Sequence, residues 1–100
     1  MTSGELTTKC LEVLRVNGYT CWRNNAGTAR SNIRLAPAGV PDIIGYSPSG
    51  QFVGIEIKVG RDRLRESQIE WMEHAVAHGC FVRVVRSVDE IIFELSQKKQ

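Results

Sequence analysis

The chain has 100 residues, of which 42% are apolar and 24% charged, the size and balance of one globular domain (1–100) with no room for a second. Its apolar runs fall far short of the roughly 20 residues a membrane helix requires. The segment Met1-Thr2-Ser3-Gly4-Glu5 lacks the regions of a signal peptide, and three cysteines without a CxxC pair fit neither a disulfide framework nor a zinc ribbon. The expectation is a soluble, cytoplasmic protein with reduced thiols and no membrane partner; the net charge of +2 is too small to name any other.

From about Gly4 to Asn17, Leu6, Cys10, Val13 and Leu14 share one face of an amphipathic helix, and Gly18 is a natural stop. Tyr19 to Arg23 predicts a short strand. The polar, aperiodic stretch Asn24 to Asn32 predicts a long loop, a feature that in compact domains usually serves function. Pro41 to Tyr46 and Gln51 to Val59 predict a β-hairpin around the turn-forming Ser47-Pro48-Ser49-Gly50. Opposing Tyr46 to Gln51 brings Asp42 opposite Ile55, one residue from Glu56.

Alternation places Phe52, Gly54, Glu56 and Lys58 on one face of the second strand and Val53, Ile55, Ile57 and Val59 on the other. Ile69, Met72, Ala75 and Val76 predict a helix from Glu66 to His78, ended by Gly79, with Ser67-Gln68-Ile69-Glu70 as a possible later start. Phe81 to Val85 predicts a strand, and Ser87 to Glu90 a cap before a last helix carrying Ile91, Ile92 and Leu95. Gln97 to Gln100 reads as a frayed tail. The order is α-β-β-β-α-β-α, without internal repeats.

Asp42 follows a proline, and Glu56-Ile57-Lys58 lies across the predicted hairpin, so two carboxylates and an ammonium converge. Magnesium prefers oxygen ligands, usually one or two carboxylates with water and substrate phosphate, which Asp42 and Glu56 suit. Such an ion polarises a phosphoryl oxygen and acidifies water. Lys58, on the Glu56 face, could orient the nucleophile or stabilise transition-state charge. The plainer alternative, an exposed Glu56–Lys58 pair worth ~0 to 1 kcal/mol, does not explain why the strand is otherwise apolar.

Charge is distributed unevenly. Arg15, Arg23, Arg30 and Arg34 lie between Val13 and Pro41 with no acid among them, and Arg61, Arg63 and Arg65 follow the acids, broken only by Asp62. Two basic segments flanking carboxylates suit a polyanion, although solvated loops would also carry arginines. His74, His78 and Cys80 superficially suit zinc, but no further ligand completes the set. Trp22 and Trp71 read as core or subunit-contact residues.

With Trp22-Arg23, Asn25, Gly27, Gly39-Val40-Pro41-Asp42, Glu56-Ile57-Lys58, Gln68 with Trp71, Gly79, and Ser87 with Glu90 in this order, the chain resembles the VRR-NUC domains of the PD-(D/E)xK nuclease superfamily, in particular the stand-alone, phage-type members. The resemblance runs from about Glu5 to Leu95. It implies an α/β restriction-endonuclease-like fold, a mixed sheet flanked by helices.

The resemblance also implies a metal-dependent phosphodiesterase leaving 5′-phosphate and 3′-hydroxyl ends. Asp42, Glu56 and the Ile57 carbonyl would bind Mg²⁺ or Mn²⁺, Lys58 would assist hydrolysis, and Gln68 would act beside it. A first-helix glutamate would be Glu5, with Glu12 as the alternative, and either could be an ordinary solvated charge. Arg65 departs from the serine or threonine that related sequences often carry there.

Arg23, Asn25, Arg30, Arg34, Arg61, Arg63 and Arg65 are candidate DNA contacts, because guanidinium groups bind phosphate bidentately. One active site per domain and two strands to cut favour a homodimer acting on branched DNA, such as a four-way junction in repair or recombination, without a small-molecule cofactor. A flap, single-strand or duplex nuclease, a non-catalytic DNA-binding module, and a regulatory protein that never meets nucleic acid are the alternatives.

Overall fold

The computed structural model describes residues 1–24 and 38–98. Helix α1 spans Ser3–Val16; strands β1 (Thr20–Arg23), β2 (Ile43–Tyr46) and β3 (Phe52–Ile57) follow; then come α2 (Glu66–Ala77), β4 (Phe81–Val85) and α3 (Val88–Lys98). The order is the α-β-β-β-α-β-α expected from the pattern of apolar residues.

Helix α1 starts with a capping box. The Thr2 hydroxyl accepts from the Glu5 amide at 3.1 Å and the Glu5 carboxylate accepts from the Thr2 amide at 2.8 Å, satisfying donors that the first turn leaves without helical partners. Gly18, at φ +86°, ends it, and the Tyr19 amide turns back to the Leu14 carbonyl at 3.0 Å.

The sheet has the order β1-β2-β3-β4, antiparallel except for the parallel β3–β4 pair. That pair requires a crossover, which α2 provides. Leu6, Cys10 and Leu14 of α1 and Ile91 and Leu95 of α3 pack with Ile43, Val53, Ile55, Ile57, Phe81 and Val85 from one face of the sheet. The opposite face carries Glu56, and α2 lies over its β4 side.

The hairpin register differs by one residue from the expected one. Tyr46 opposes Phe52, and Ile43 opposes Ile55, so the next residue outward, Asp42, faces Glu56 directly. The cause is the buried Ser47: its hydroxyl accepts from the Ser49 and Gln51 amides, and its own amide donates to the Gln51 carbonyl at 2.9 Å. Gln51 is thereby drawn into the turn. The strands are also shorter than expected, with Asp42 before β2 and Lys58 after β3.

Gln97 and Lys98 belong to α3 rather than to a frayed tail. The Lys98 ammonium stands 5.1 and 5.0 Å from the ring centres of Tyr19 and Phe81 and donates to the Tyr19 hydroxyl at 3.3 Å, which anchors the last turn. Cys10, Cys21 and Cys80 are free thiols. Burial pushes Cys10 and Cys21 up to about 11, so neither is a reactive thiolate at neutral pH.

Candidate active site

Asp42 and Glu56 meet where the chain leaves β3, in a cleft of about 310 Å³ that Lys58, Arg65 and Gln68 also line. One oxygen of Asp42 accepts from the Ile57 amide at 2.9 Å. Asn24 secures the other side of this segment: its backbone amide donates to the Asp42 carbonyl at 2.7 Å and its side-chain amide to the Pro41 carbonyl at 3.1 Å.

Pro41 itself is buried against Gly54, where any Cβ would press on its ring. Close approach, rather than flexibility, is the reason for glycine there. A similar contact sets Gly39 against α2: at φ +86°, a Cβ would run into the Ser67 carbonyl. The Gly39-Val40-Pro41-Asp42 segment is thus wedged between the sheet and the start of α2, and this holds Asp42 in place.

Glu56 is only 2% exposed and Gln68 4%. The Gln68 amide donates to Glu56 Oε1 at 3.2 Å while its own carbonyl accepts from the Arg65 amide at 2.7 Å. One side chain therefore caps the α2 N-terminus and orients the buried carboxylate. Among the described residues, Glu56 Oε2 accepts from no donor. A buried carboxylate oxygen without a donor is costly, and the Glu56 carboxyl is accordingly pushed from 4.5 up to about 8. Burial is the largest cause, followed by the adjacent Asp42 carboxyl as partner for the proton and as like charge, while Lys58 and Arg65 act in the opposite direction.

These residues fit a divalent cation. The orphaned Glu56 oxygen, the neighbouring Asp42 carboxylate and the mainly polar cleft are what a hard ion uses. Asp62 also lines the cleft, but among the described residues no group of three His, Cys, Asp or Glu side chains gathers to hold a metal. His74 in α2 and His78 at its C-cap are both exposed, with ring centres 4.4 Å apart.

Glu5 lies elsewhere. Its carboxylate is engaged in the α1 capping box, and the Thr2 backbone, then the Thr2 hydroxyl, hold it below the usual carboxylate range. Ser3, Gly4 and Thr7 line the cleft in its stead. Glu12 is exposed and lies 4.0 Å from Lys9.

Arg23 and Arg65 line the cleft, whereas Arg61 and Arg63 are exposed outside it. Arg23 also donates to the Gly4 carbonyl at 3.1 Å and the Thr8 hydroxyl at 2.6 Å, tying β1 to α1. Asn25, Arg30 and Arg34 lie outside the described residues. Trp22 is not a core residue: it is 49% exposed, while Trp71 is half-buried against Phe52. Asn24 is the participant that sequence reasoning missed, although it directly follows the Trp22-Arg23 pair.

A larger cavity of about 570 Å³ lies at the other end of the sheet, lined by Tyr19, Ser47, Phe81, Arg83, Glu94 and Lys98 among others. It has no carboxylate pair, and Arg83 is already bound to Glu94 at 2.9 Å.

The family model of the VRR-NUC domain matches residues 1–89. Two solved structures share the fold. One, described as a VRR-NUC domain, has a TM-score of 0.73 and 19% identity over 96% of this chain and 97% of its own. The other, a VRR-NUC domain protein, has a TM-score of 0.70 and 21% identity over 97% and 87%. No curated protein matches the sequence. With the family model covering most of the chain, and the fold shared from end to end, this protein belongs to the VRR-NUC family of nuclease domains.

Proposed function

We propose that the protein is a Mg²⁺-dependent, structure-selective DNA endonuclease that acts as a homodimer on four-way junctions. The observation that carries the metal-dependent reading is Glu56: a buried carboxylate with one oxygen clamped by Gln68, the other orphaned, and Asp42 beside it. Asp42, Glu56 and the Ile57 carbonyl would hold Mg²⁺, with Mn²⁺ as a substitute. When bound, the ion supplies Lewis-acid polarisation of the phosphoryl oxygen and acidifies the attacking water.

The chain's own groups supply the rest. Lys58 lines the same cleft as the two carboxylates, where its ammonium would orient the water and stabilise charge developing on the phosphoryl oxygens. Gln68 keeps Glu56 from swinging away. Arg23 and Arg65 give the cleft fixed positive charge for flanking phosphates. Water attacks phosphorus, the bond to the 3′ oxygen breaks, and that oxygen takes a proton to leave 3′-hydroxyl and 5′-phosphate ends. Two such sites are needed to cut two strands symmetrically, which is the reason for the dimer.

The test is cleavage of a labelled four-way junction by the wild type and by Asp42→Ala, Glu56→Ala and Lys58→Ala, with Mg²⁺ and with EDTA. Paired symmetric cuts, lost in all three variants and in EDTA, support the reading. Equal cutting of linear duplex removes the junction preference. Salt-sensitive binding without cuts under either condition assigns the protein to a non-catalytic DNA-binding role.

A further inference from the structure

The face of the sheet that carries Glu56 continues past the cleft as a row of aromatic rings. Paired residues in a sheet project to the same side. Tyr46 opposes Phe52, and Trp22 opposes Ile44, which in turn opposes Gly54. By alternation, Trp22, Ile44, Tyr46 and Phe52 therefore share the face of Glu56. Helix α2 lies over the β4 side of this face, reaching back only as far as Phe52, whose ring centre lies 6.1 Å from that of Trp71. Trp22, Tyr46 and Phe52 are left 49%, 48% and 36% exposed on three adjacent strands.

Exposed apolar surface of this kind marks an interaction site, and its position indicates which one. Pro41, seated on Gly54, divides the rings from the carboxylates, and Arg23, next to Trp22, lines the cleft itself. From Asp42 to Tyr46 the strand advances ~13 Å, room for about four nucleotides at the stacked rise. A strand held at the carboxylates thus passes onto aromatic surface with an arginine at the boundary. Paired bases are already stacked and hide their faces, whereas unpaired bases offer a π-face to any aromatic ring, whatever the base.

We infer that Trp22, Tyr46 and Phe52 form a stacking platform for unpaired nucleotides of the strand whose scissile phosphate occupies the cleft. This rests on the nuclease reading and deepens it: the substrate carries unpaired nucleotides next to the cut, at a junction centre, fork or flap. Selectivity for DNA structure then resides on this face rather than in the catalytic residues.

The probe is an oligo(dT) of about ten nucleotides, within the usual range of single-strand sites, titrated against tryptophan emission of the full chain in EDTA. Quenching is expected in the wild type, with affinity falling roughly ten-fold in each of Trp22→Ala, Tyr46→Ala and Phe52→Ala. The same variants are expected to slow cleavage of a forked substrate but not of fully paired duplex. Phe93→Ala, on an exposed position of α3 across the sheet, should change neither. Leucine replaces alanine wherever a melting curve shows unfolding.

Absence of quenching in a wild type that still cuts DNA overturns the platform alone. Quenching without any Mg²⁺-dependent cleavage removes the nuclease reading and leaves the platform standing. Variants that sediment as monomers from a dimeric parent, at unchanged oligo(dT) affinity, assign the face to a second copy and overturn the proposal.

Discussion

Replacing Glu56 by glutamine removes a proposed metal ligand, yet it is expected to stabilise the metal-free protein at neutral pH. The folded chain keeps the Glu56 proton to about pH 8, whereas the usual value is 4.5. Between these values the folded state binds the proton that the unfolded state has released, so the stability of metal-free protein is full below about pH 4.5 and declines as pH rises towards 8. At pH 7 the mismatch spans about 2.5 pH units, or ~3 kcal/mol at ~1.4 kcal/mol per unit. Relaxation of the site and water penetration around the buried carboxyl reduce this to ~1 to 2 kcal/mol.

Glutamine keeps the shape and carries no charge; it can still accept from Gln68 and can donate towards Asp42. Urea unfolding in EDTA at pH 5 and pH 8 reads the difference. The wild type is expected to lose ~1 to 2 kcal/mol across that interval and Glu56→Gln far less, a midpoint difference of roughly 0.5 to 1 M for a domain of this size. Added Mg²⁺ should raise the wild-type midpoint by mass action and leave the variant unmoved. Parallel pH profiles for the two proteins would refute the claim that Glu56 is a destabilised acid awaiting a cation.

Gly39→Ala combines a positive φ with a Cβ driven into the Ser67 backbone, whereas Gly50→Ala meets the same φ with nothing within 4 Å. Thermal melts should show the first costing ~2 kcal/mol or more and the second ~1 kcal/mol; equal losses would mean that the wedge beneath Asp42 is unimportant. Arg65 occupies the α2 N-cap without a side-chain cap bond, so Arg65→Ser should add ~0.5 to 1 kcal/mol of stability while weakening DNA binding and flattening its salt dependence. Glu5→Ala breaks the capping box and should cost ~1 kcal/mol with cleavage retained. A hundred-fold loss of cleavage would instead make Glu5 a ligand.

Local physical chemistry made the element order legible. Gly18, Gly79 and the apolar spacing of Leu6, Cys10 and Leu14 act over a few residues, and each acts in the fold as the sequence suggests. The pairing of Asp42 with Glu56 was legible for a similar reason, because a hairpin brings its two strands together within a narrow range of registers. The register itself was not. It depends on one buried hydroxyl, Ser47, which binds backbone amides of the turn, and such a bond is invisible to turn propensity.

Glu5 and Trp22 show the same limit from opposite directions. A carboxylate near a helix start suits a metal as well as it suits a cap, and only the position of the cleft separates the two. A tryptophan in a strand belongs to the core by default, yet Trp22 lies where α2 does not reach.

Taken alone, the sequence determined the order of helices and strands and the residue types that chemistry requires, since these follow from periodicity, caps and spacing within short segments, and its ordered motifs carried the resemblance to the family. Tertiary structure decided that Glu56 is buried with one oxygen unsatisfied, that Gln68 joins it to the α2 N-terminus, and that aromatic rings are left exposed on the same face. Those properties arise from which elements cover which surface, and burial and partnership belong to the packed chain as a whole.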